Sequence, residues 1–355
     1  MVPDSLSSFR QQDFHYIQRV NNLGMRGRDV APTRPPNAYR ILMLGDSFTM
    51  GKGVEDQETF SVLLERLLRE KVDRCGGSCT VEVLNGGVDS YAPILSYLQL
   101  TRELGKLEPD MVVLNLDVSD LIQEAAYRQI AVRDDHGDIV GVPQAERATS
   151  TTERIRGWTE RHMFITRAVL FYLLDRADYR EFSVRTVVEQ ANLAVAAHTL
   201  AEDTEPRGQQ WADVFESLGR IKQYSDQRGI RFLLTIYPWA HQVSDSEWVP
   251  GRYAFMPEGA HPSDKSRNTV RELATANGIE LIDLFPAFRN YKGGRPLYFQ
   301  HDMHWTVTGH QVAAGGFADY LIGKHADVWC KVRSGRQTAE ANRVRPAGCG
   351  GRSPW

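Results

Sequence analysis

Several features that mark special classes of protein are scarce in this sequence. It has four cysteines in 355 residues, whereas disulfide scaffolds are short and cysteine-rich. It has no apolar run near the roughly 18 residues that predict a membrane span. Its 42 Lys and Arg against 45 Asp and Glu give a net charge of −3, which provides no basic field for nucleic acid or an anionic membrane. With 42% hydrophobic residues, the chain has the composition of a folded globular protein.

The N-terminus shows no export signal. Its first residues, MVPDSLSSFRQQDF, have neither the basic region nor the apolar region of a signal peptide. This absence favours the cytoplasm, while an anchor upstream of the printed sequence would place the protein outside the cytoplasm, for example in the periplasm. The sequence therefore leaves the compartment open.

The cysteines fall into two pairs. Cys75 and Cys79 enclose a Gly-Gly-Ser turn, which fits either a small-loop disulfide or, as we expect, two unpaired surface thiols. The Cys-x-x-x-Cys spacing alone does not predict a zinc site, and Cys330 and Cys349 are too far apart to indicate a metal site.

Short apolar runs alternate with helical patterns along most of the chain. Runs bounded by turn residues predict buried parallel strands, and apolar residues at helical spacing predict the helices between them. The predicted strands are 40–44, 81–84, 111–116, 231–237 and 279–284. The predicted helices are 59–72, 94–107, 211–228, 264–277 and 306–322. This order predicts an α/β fold with a five-stranded parallel sheet and helices on both faces.

Three regions fall outside this alternation. Residues 1–35 are interpreted as an N-terminal lead-in to a domain that spans 36–325. Residues 121–210 are too long for a simple loop and predict a mainly helical insertion, which either packs on the flank of the sheet or caps a substrate site. The tail 331–355 combines basic residues with glycine and proline and is predicted to be disordered.

Polar or glycine-rich segments follow every predicted strand, directly after the first four and some way on after the fifth. Because ligands bind at the carboxyl ends of parallel strands, these loops should meet at one edge of the sheet. They are 45–49, 85–91, 117–120, 237–239 and 301–305. This edge is therefore the predicted functional site.

The same edge holds the groups that a serine hydrolase needs: a hydroxyl, an imidazole, a carboxylate and oxyanion donors. Ser47 lies at the start of a predicted helix, where backbone N–H groups favour developing negative charge. His304 and Asp302 provide a base and a group that orients it. The residues alone leave other interpretations open, because a serine before a helix is often only an N-cap. His301, Asp302 and His304 also resemble a cluster of metal ligands.

Two longer motifs resemble a known family. The stretch ILMLGDSFTMGKGVEDQETF resembles the nucleophile block of the SGNH, or GDSL-type, esterases and lipases, with Phe48 in place of the leucine. HDMHWTVTGHQVAA resembles the block that carries the acid and the base, and VNNLGMRGRDV resembles a segment that precedes the first block in many bacterial members. The resemblance runs from Asn21 to Ile322. It implies a three-layer α/β/α sandwich, the flavodoxin-like SGNH fold, which agrees with the five predicted strands.

The resemblance also implies the role of each catalytic residue. Ser47 is the nucleophile and its backbone N–H is an oxyanion donor, His304 is the general base, and Asp302 orients His304. The commonest family spacing is Asp-x-x-His, whereas here it is Asp-x-His, as in some members with His-Trp after the motif. The implied reaction needs neither a metal nor any other cofactor.

Two oxyanion positions depart from the family pattern. The second block normally supplies a glycine N–H; Ser90 aligns there, although Gly86 or Gly87 serves if the register differs. In the third block, normally Gly-x-Asn-Asp, Ser119 replaces the asparagine and Asp117 replaces the glycine. Ser119 is expected to donate a hydrogen bond, with a shorter reach than an amide. The Asp117 carboxylate either opposes an oxyanion or points away and holds the loop.

Five residues are predicted to contact the substrate. Tyr91 and Trp305 flank the proposed triad. Trp239 follows the fourth strand, where a structured surface loop is the alternative interpretation. Asp46 and Asp120 lie beside the nucleophile and the third block and complete the set.

These residues together predict a hydrolase of acyl or acetyl esters that acts through an acyl-enzyme on a small-molecule or carbohydrate ester. One alternative is an SGNH-type O-acyltransferase or deacetylase acting on carbohydrate, which uses the same triad. Another is a catalytically silent carbohydrate-binding module. A nucleotide enzyme is disfavoured because no Gly-Lys-Ser/Thr motif follows the glycine-rich turn. No nucleic acid and no membrane span are predicted.

Overall fold

A parallel sheet of five strands lies at the centre of the protein. The computed structural model describes residues 1–76, 79–143 and 194–329. In chain order the strands are β1 (Ser5–Arg10), β2 (His15–Val20), β3 (Ala38–Leu44), β4 (Thr80–Asn85), β5 (Met111–Leu116), β6 (Val132–Arg133), β7 (Ile139–Gly141), β8 (Arg231–Ile236) and β9 (Glu280–Asp283). The central sheet has the order β4-β3-β5-β8-β9, and every neighbouring pair in it is parallel. The α/β class and the five predicted strands are confirmed.

Helices connect the strands of this sheet. They are α1 (Ser47–Met50), α2 (Phe60–Arg74), α3 (Pro93–Arg102), α4 (Asp120–Gln129), α5 (Gly208–Asp226), α6 (Ala240–Val243), α7 (Lys265–Ala276), α8 (Phe285–Arg289), α9 (Val307–Lys324) and α10 (Ala326–Trp329). The predicted helix 94–107 is divided, because α3 ends at Arg102 and a separate 3-10 turn spans Leu104–Leu107. None of the helices in the described ranges has the length and apolarity needed to cross a membrane.

Alternation along the strands separates two hydrophobic clusters, because successive side chains point to opposite faces of a sheet. In β3, Ile41 and Met43 belong to one cluster, together with side chains of α2 and α9. Leu42 and Leu44 belong to the other, together with side chains of α3, α5 and α7. β3 and β5 are buried along their whole lengths. The sheet therefore lies between two helical layers, as a three-layer α/β/α sandwich.

The predicted insertion is described only in part. α4 and the antiparallel pair β6–β7 come from its beginning, and α5 starts near its end. The apolar stretch 163–174, most of the stretch 184–200 and the tail 331–355 lie outside the described residues. A cap over the substrate site and a disordered tail both stay predictions.

An antiparallel hairpin of β1 and β2 forms the N-terminus, and the sequence analysis did not predict it. In β2, Tyr16, Gln18 and Val20 are buried, whereas β1 is largely exposed and has no alternating apolar pattern to detect. Beyond the hairpin, Arg26 forms a bridge with Asn85 of β4, an edge strand of the central sheet. The segment interpreted as a lead-in therefore contains a hairpin and contacts the end of that edge strand.

The turn between α2 and β4 corrects one expectation. Cys75 directly follows α2 and Cys79 directly precedes β4, so a very short connection brings them together. Both are disulfide-bonded. The prediction of two unpaired thiols is wrong. Cys330 and Cys349 lie outside the described residues.

Candidate active site

A tight turn between β3 and α1 holds Ser47. Gly45 has a positive φ of 141°, and a Cβ at this position would lie 2.4 Å from Thr49 Oγ1. Asp46 caps the helix, because its Oδ1 accepts a hydrogen bond from the Phe48 N–H at 2.9 Å. The helix has only four residues, so its dipole adds little. The helix end that the sequence suggested as a source of positive field at Ser47 is therefore a weak one.

His304 and Asp302 lie on the loop before α9 and form a hydrogen-bonded row with Ser47. His304 Nε2 lies 2.7 Å from Ser47 Oγ, and Nδ1 of the same ring hydrogen-bonds Asp302 Oδ1. Ser47 and His304 are 7% and 5% exposed, so the row is largely shielded from water. The structure brings together the three residues that the motifs had suggested as a triad.

These contacts also assign the protons in the row. Burial alone would raise the pKa of the Asp302 carboxyl, but the hydrogen bonds and charge of His304, with Lys52 nearby, hold that pKa below its usual value. Asp302 is therefore ionised at neutral pH and can only accept, so Nδ1 of His304 carries the ring proton. Nε2 is then free to accept the proton of Ser47 Oγ, the arrangement in which a serine becomes nucleophilic.

Local backbone geometry explains the short Asp-x-His spacing. Asp302 Oδ1 accepts a hydrogen bond from the backbone N–H of His304 at 2.9 Å as well as from its ring. An Asp side chain that folds back onto the backbone two residues later forms an Asx turn. This turn places the carboxylate beside the imidazole without the additional residue of the commoner spacing.

Aromatic packing fixes the ring of His304. The Phe48 ring lies 4.7 Å from the His304 ring, measured between centroids. Trp305 packs at 5.2 Å from Phe48 and at 4.8 Å from Tyr237, and it is 1% exposed. Trp305, which was predicted to contact substrate, therefore lies in the core beneath the triad and presents almost no surface to a ligand.

Ser90 lies in an exposed turn after β4 and has a left-handed backbone, with φ of 62°. This conformation favours glycine, which accounts for the glycine expected at this block. The Ser90 carbonyl accepts a hydrogen bond from the Tyr127 hydroxyl at 2.8 Å. The N–H groups of Gly86 and Gly87 already donate to other protein oxygens, at 2.8 and 3.1 Å. Ser90 therefore stays the proposed donor of the second block.

Ser119 and Asp117 bond to each other within the third loop. Ser119 Oγ donates to Asp117 Oδ2 at 2.5 Å. Asp117 Oδ1 accepts from Trp239 Nε1 at 2.6 Å and from the Val118 N–H at 2.8 Å. A serine hydroxyl has one proton, and here that proton is directed to Asp117 rather than to an oxyanion. Asp117 holds the loop, which was one of the two roles left open by the sequence.

Asp46, Asp117 and Asp120 form a group of buried carboxyls behind the nucleophile, with exposures of 3%, 2% and 1%. Burial raises the pKa of all three carboxyls. For Asp46 and Asp120, burial and the charges of neighbouring carboxylates together raise the pKa well above the usual value for an aspartate. For Asp117, hydrogen bonds from Ser119 and Trp239 oppose part of the rise. The group therefore retains protons at a pH at which exposed aspartates are ionised.

The predicted substrate contacts separate into one accessible and four buried residues. Tyr91 is half-buried and retains surface beside the second-block turn. The other four are each nearly fully buried, and as placed they support the loops from inside: Asp46, Asp120, Trp239 and Trp305.

A known family matches most of this chain. Residues 43–312 match the model of the GDSL-like lipase/acylhydrolase family. The chain belongs to this family. It is therefore a hydrolase that acts on esters. The sequence matches no curated protein at a significant level.

Several solved structures are similar to this chain. The acetyl xylan esterase AlAXEase is 16% identical, with a TM-score of 0.41 over 80% of this chain and 100% of that chain. A catalytic mutant of Axe2, an acetylxylan esterase from Geobacillus stearothermophilus, is 12% identical, with a TM-score of 0.42 over 83% of this chain and 97% of the other. TesA is 12% identical, with a TM-score of 0.40 over 79% and 97%.

The metal-site interpretation has no support in the geometry. In the part of the chain that the structure describes, no group of three or more His, Cys, Asp and Glu side chains is placed to hold a metal ion. The His301 ring contacts Asp13, whereas His304 contacts Ser47. The two imidazoles of the motif therefore serve different partners.

Two contacts of this GDSL-like protein were missed from the sequence. Asp13 contacts the loop that carries Asp302, and Arg26 contacts the loop that follows Ser47. Arg26 lies within VNNLGMRGRDV, so a motif marked its neighbourhood. Asp13 lies in no motif and is 289 positions from Asp302, so nothing in the sequence pairs them.

Proposed function

We propose that this hydrolase cleaves carboxylic esters through an acyl-enzyme intermediate on Ser47. The observation that carries the proposal is the 2.7 Å contact between Ser47 Oγ and His304 Nε2, in a ring whose Nδ1 is bound to an ionised Asp302. A serine in this setting has a base to take its proton and a carboxylate to orient that base.

The reaction follows from the assigned protons. Ser47 Oγ attacks the ester carbonyl carbon while His304 Nε2 takes the hydroxyl proton, and the carbonyl electron pair moves onto oxygen. Nε2–H then gives its proton to the departing alcohol as the carbon–oxygen bond breaks. Water repeats the sequence on the acyl-enzyme, with the same imidazole as base and then acid. Asp302 stabilises the imidazolium that forms in each half.

Two backbone donors are proposed for the oxyanion, the N–H groups of Ser47 and Ser90. Each such donor is typically worth about 10²–10³ in rate. Ser119 adds a third only if its proton turns away from Asp117, to which it donates at 2.5 Å. We therefore expect this protein to hydrolyse esters more slowly than an enzyme with three oxyanion donors.

The substrate is proposed to be a small-molecule or carbohydrate ester. Tyr91 is the predicted contact that retains accessible surface, and its ring offers an apolar face with a polar tip. We propose that the substrate contacts this ring.

The test is turnover of a panel of esters, from acetyl to long acyl chains, by wild type, Ser47→Ala and His304→Ala. Each variant should lose about 10⁴-fold or more in kcat. Ser7→Ala and His261→Ala are matched controls at exposed positions and should behave as wild type. Unchanged turnover in Ser47→Ala would sink the proposal. If an added sugar acceptor is acylated faster than the ester is hydrolysed, the proposed reaction becomes acyl transfer.

A further inference from the structure

The Asp13 carboxylate in the N-terminal hairpin forms hydrogen bonds with the loop that carries His304. Asp13 Oδ2 accepts hydrogen bonds from the backbone N–H groups of His301, at 2.6 Å, and of Asp302, at 2.9 Å. Asp13 Oδ1 lies 2.7 Å from His301 Nδ1. The Asp13 side chain is only 10% exposed. These three contacts fix the backbone from which the Asp302 side chain reaches His304.

These hydrogen bonds require the Asp13 carboxyl to be ionised. Burial alone would raise the pKa of the Asp13 carboxyl, but the hydrogen bonds from the His301 ring and from the two backbone N–H groups hold that pKa below its usual value. Two backbone donors and one ring donor converge on a single carboxylate, and charge-assisted hydrogen bonds of this kind are the stronger ones.

The Arg26 guanidinium, from the same segment, forms hydrogen bonds with the loop that follows Ser47. Arg26 donates to the carbonyl oxygens of Met50, at 3.1 Å, of Gly51, and of Val54, at 2.5 Å. Its Nε donates to Asp56 at 2.7 Å, and the Arg26 side chain is 1% exposed. Since α1 ends at Met50, these contacts fix the chain immediately beyond Ser47.

The loop that follows Ser47 and the loop that carries His304 pack closely against each other. The ring of Phe14, next to Asp13, lies 5.0 Å from the ring of Phe299 on the base-carrying loop. A Cβ at Gly53 would lie 2.5 Å from Phe299 and 3.1 Å from Phe14, so there is no room for a side chain between them. The nucleophile loop, the base loop and the N-terminal segment thus meet at one point.

We propose that residues 12–26 form a brace that sets the separation of Ser47 and His304, with Asp13 as a positioning residue for the base loop. The brace lies outside residues 43–312, the region that matches the family. The ester hydrolase therefore depends on a segment that the family region does not contain. This inference rests on the proposed function of the triad, and it assigns the N-terminal motif a task in catalysis.

The effect of losing Asp13 follows from the geometry of the triad. Without the carboxylate, the N–H groups of His301 and Asp302 lose a shared acceptor and the loop can shift. A displacement of about 1 Å in a catalytic group can cost about 100-fold in rate. Asp13→Ala should therefore lower kcat by about 10- to 100-fold and leave KM within about twofold. Asp13→Asn keeps one acceptor oxygen and should fall between wild type and the alanine variant.

The experiment measures ester turnover and the downfield proton resonance of His304 Nδ1–H in wild type, Asp13→Ala and Asp13→Asn. Asp226→Asn is the control, because it removes the same charge from an exposed side chain that pairs with Lys222, away from residues 12–26. In the Asp13 variants the resonance should shift or broaden, because the contact between Asp302 and His304 is no longer held. Asp226→Asn should match wild type in both measurements.

The outcomes separate the brace from the proposed function. If Asp13→Asn and Asp226→Asn have equal kcat and the resonance does not move in either, the brace is overturned while wild type remains an esterase. A wild type that turns over no ester would contradict the proposed function, and the resonance would still decide whether Asp13 holds the loop. If Asp13→Ala does not fold, the asparagine variant provides the same comparison.

Discussion

Replacing Asp120 by asparagine should stabilise the protein at neutral pH. Asp120 is 1% exposed, and its Oδ2 accepts a hydrogen bond from the Asp117 N–H at 2.9 Å. Its Oδ1 is buried and has no hydrogen-bond partner among the described residues. The carboxylates of Asp46 and Asp117 add repulsion. An asparagine keeps the acceptor for Asp117 and removes the charge.

The size of the gain can be set from these contacts. The asparagine amide still places a polar group without a partner at the Oδ1 position, so the gain comes from removing the buried charge, which is worth about 1.4 kcal/mol for each unit by which a carboxyl pKa is raised. We therefore expect Asp120→Asn to add about 1–3 kcal/mol to the free energy of unfolding. In a chain of 355 residues this corresponds to a rise in Tm of about 1–4 °C.

The gain must depend on pH with a defined sign. Burial and neighbouring charge raise the pKa of Asp120 in the folded state. A raised carboxyl pKa gives full stability below the unfolded value, about pH 4, and loses it as the pH rises toward the folded value. The advantage of Asp120→Asn should therefore vanish near pH 4 and grow toward pH 8.

Calorimetric melting of wild type and Asp120→Asn across about pH 4 to about pH 8 measures this directly. Asp135→Asn, at an exposed position, is the control for loss of one negative charge. A difference between Asp120→Asn and wild type that stays constant with pH would refute the reasoning. So would an asparagine variant that is less stable at about pH 8.

Three further substitutions test individual contacts of the site. Asp302→Asn presents an amide N–H to His304 Nδ1 and should lower kcat by about 10⁴-fold, measured by steady-state turnover. Ser119→Ala should lower kcat less than tenfold, short of the 10²–10³ for a lost oxyanion donor, while chemical denaturation shows a loss of about 1–3 kcal/mol because Asp117 loses a partner. Ser90→Gly retains the N–H and relieves a left-handed serine, so kcat should hold within about twofold and Tm should not fall.

The sequence predicts those parts of the fold that are marked by a pattern of neighbouring residues. Each strand of the central sheet is a short apolar run between turn residues, so its position follows from burial on both faces. Ser47, Asp302 and His304 stand next to such boundaries in motifs that resemble one family. The sequence therefore leads to the right edge of the sheet, where the structure puts these three side chains in contact.

The parts that the sequence misses depend on tertiary contacts. An aromatic residue beside a motif can line a pocket or fill the core, and only packing distinguishes them; Trp239 and Trp305 are both 1% exposed. The partner of Ser119 is Asp117, a choice of hydrogen bond that spacing does not determine. Asp13 and His301 meet across 288 positions, and the exposed strand β1 shows no periodicity to reveal the hairpin that holds Asp13.

Labelling with a fluorophosphonate, followed by mass-spectrometric mapping of the adduct, tests the central claim most directly. The probe reacts only with a serine that a neighbouring base has activated. We expect one adduct, on the peptide that carries Ser47, and no adduct in folded Ser47→Ala or His304→Ala. An adduct on another serine, or a folded wild type that does not react, would contradict it.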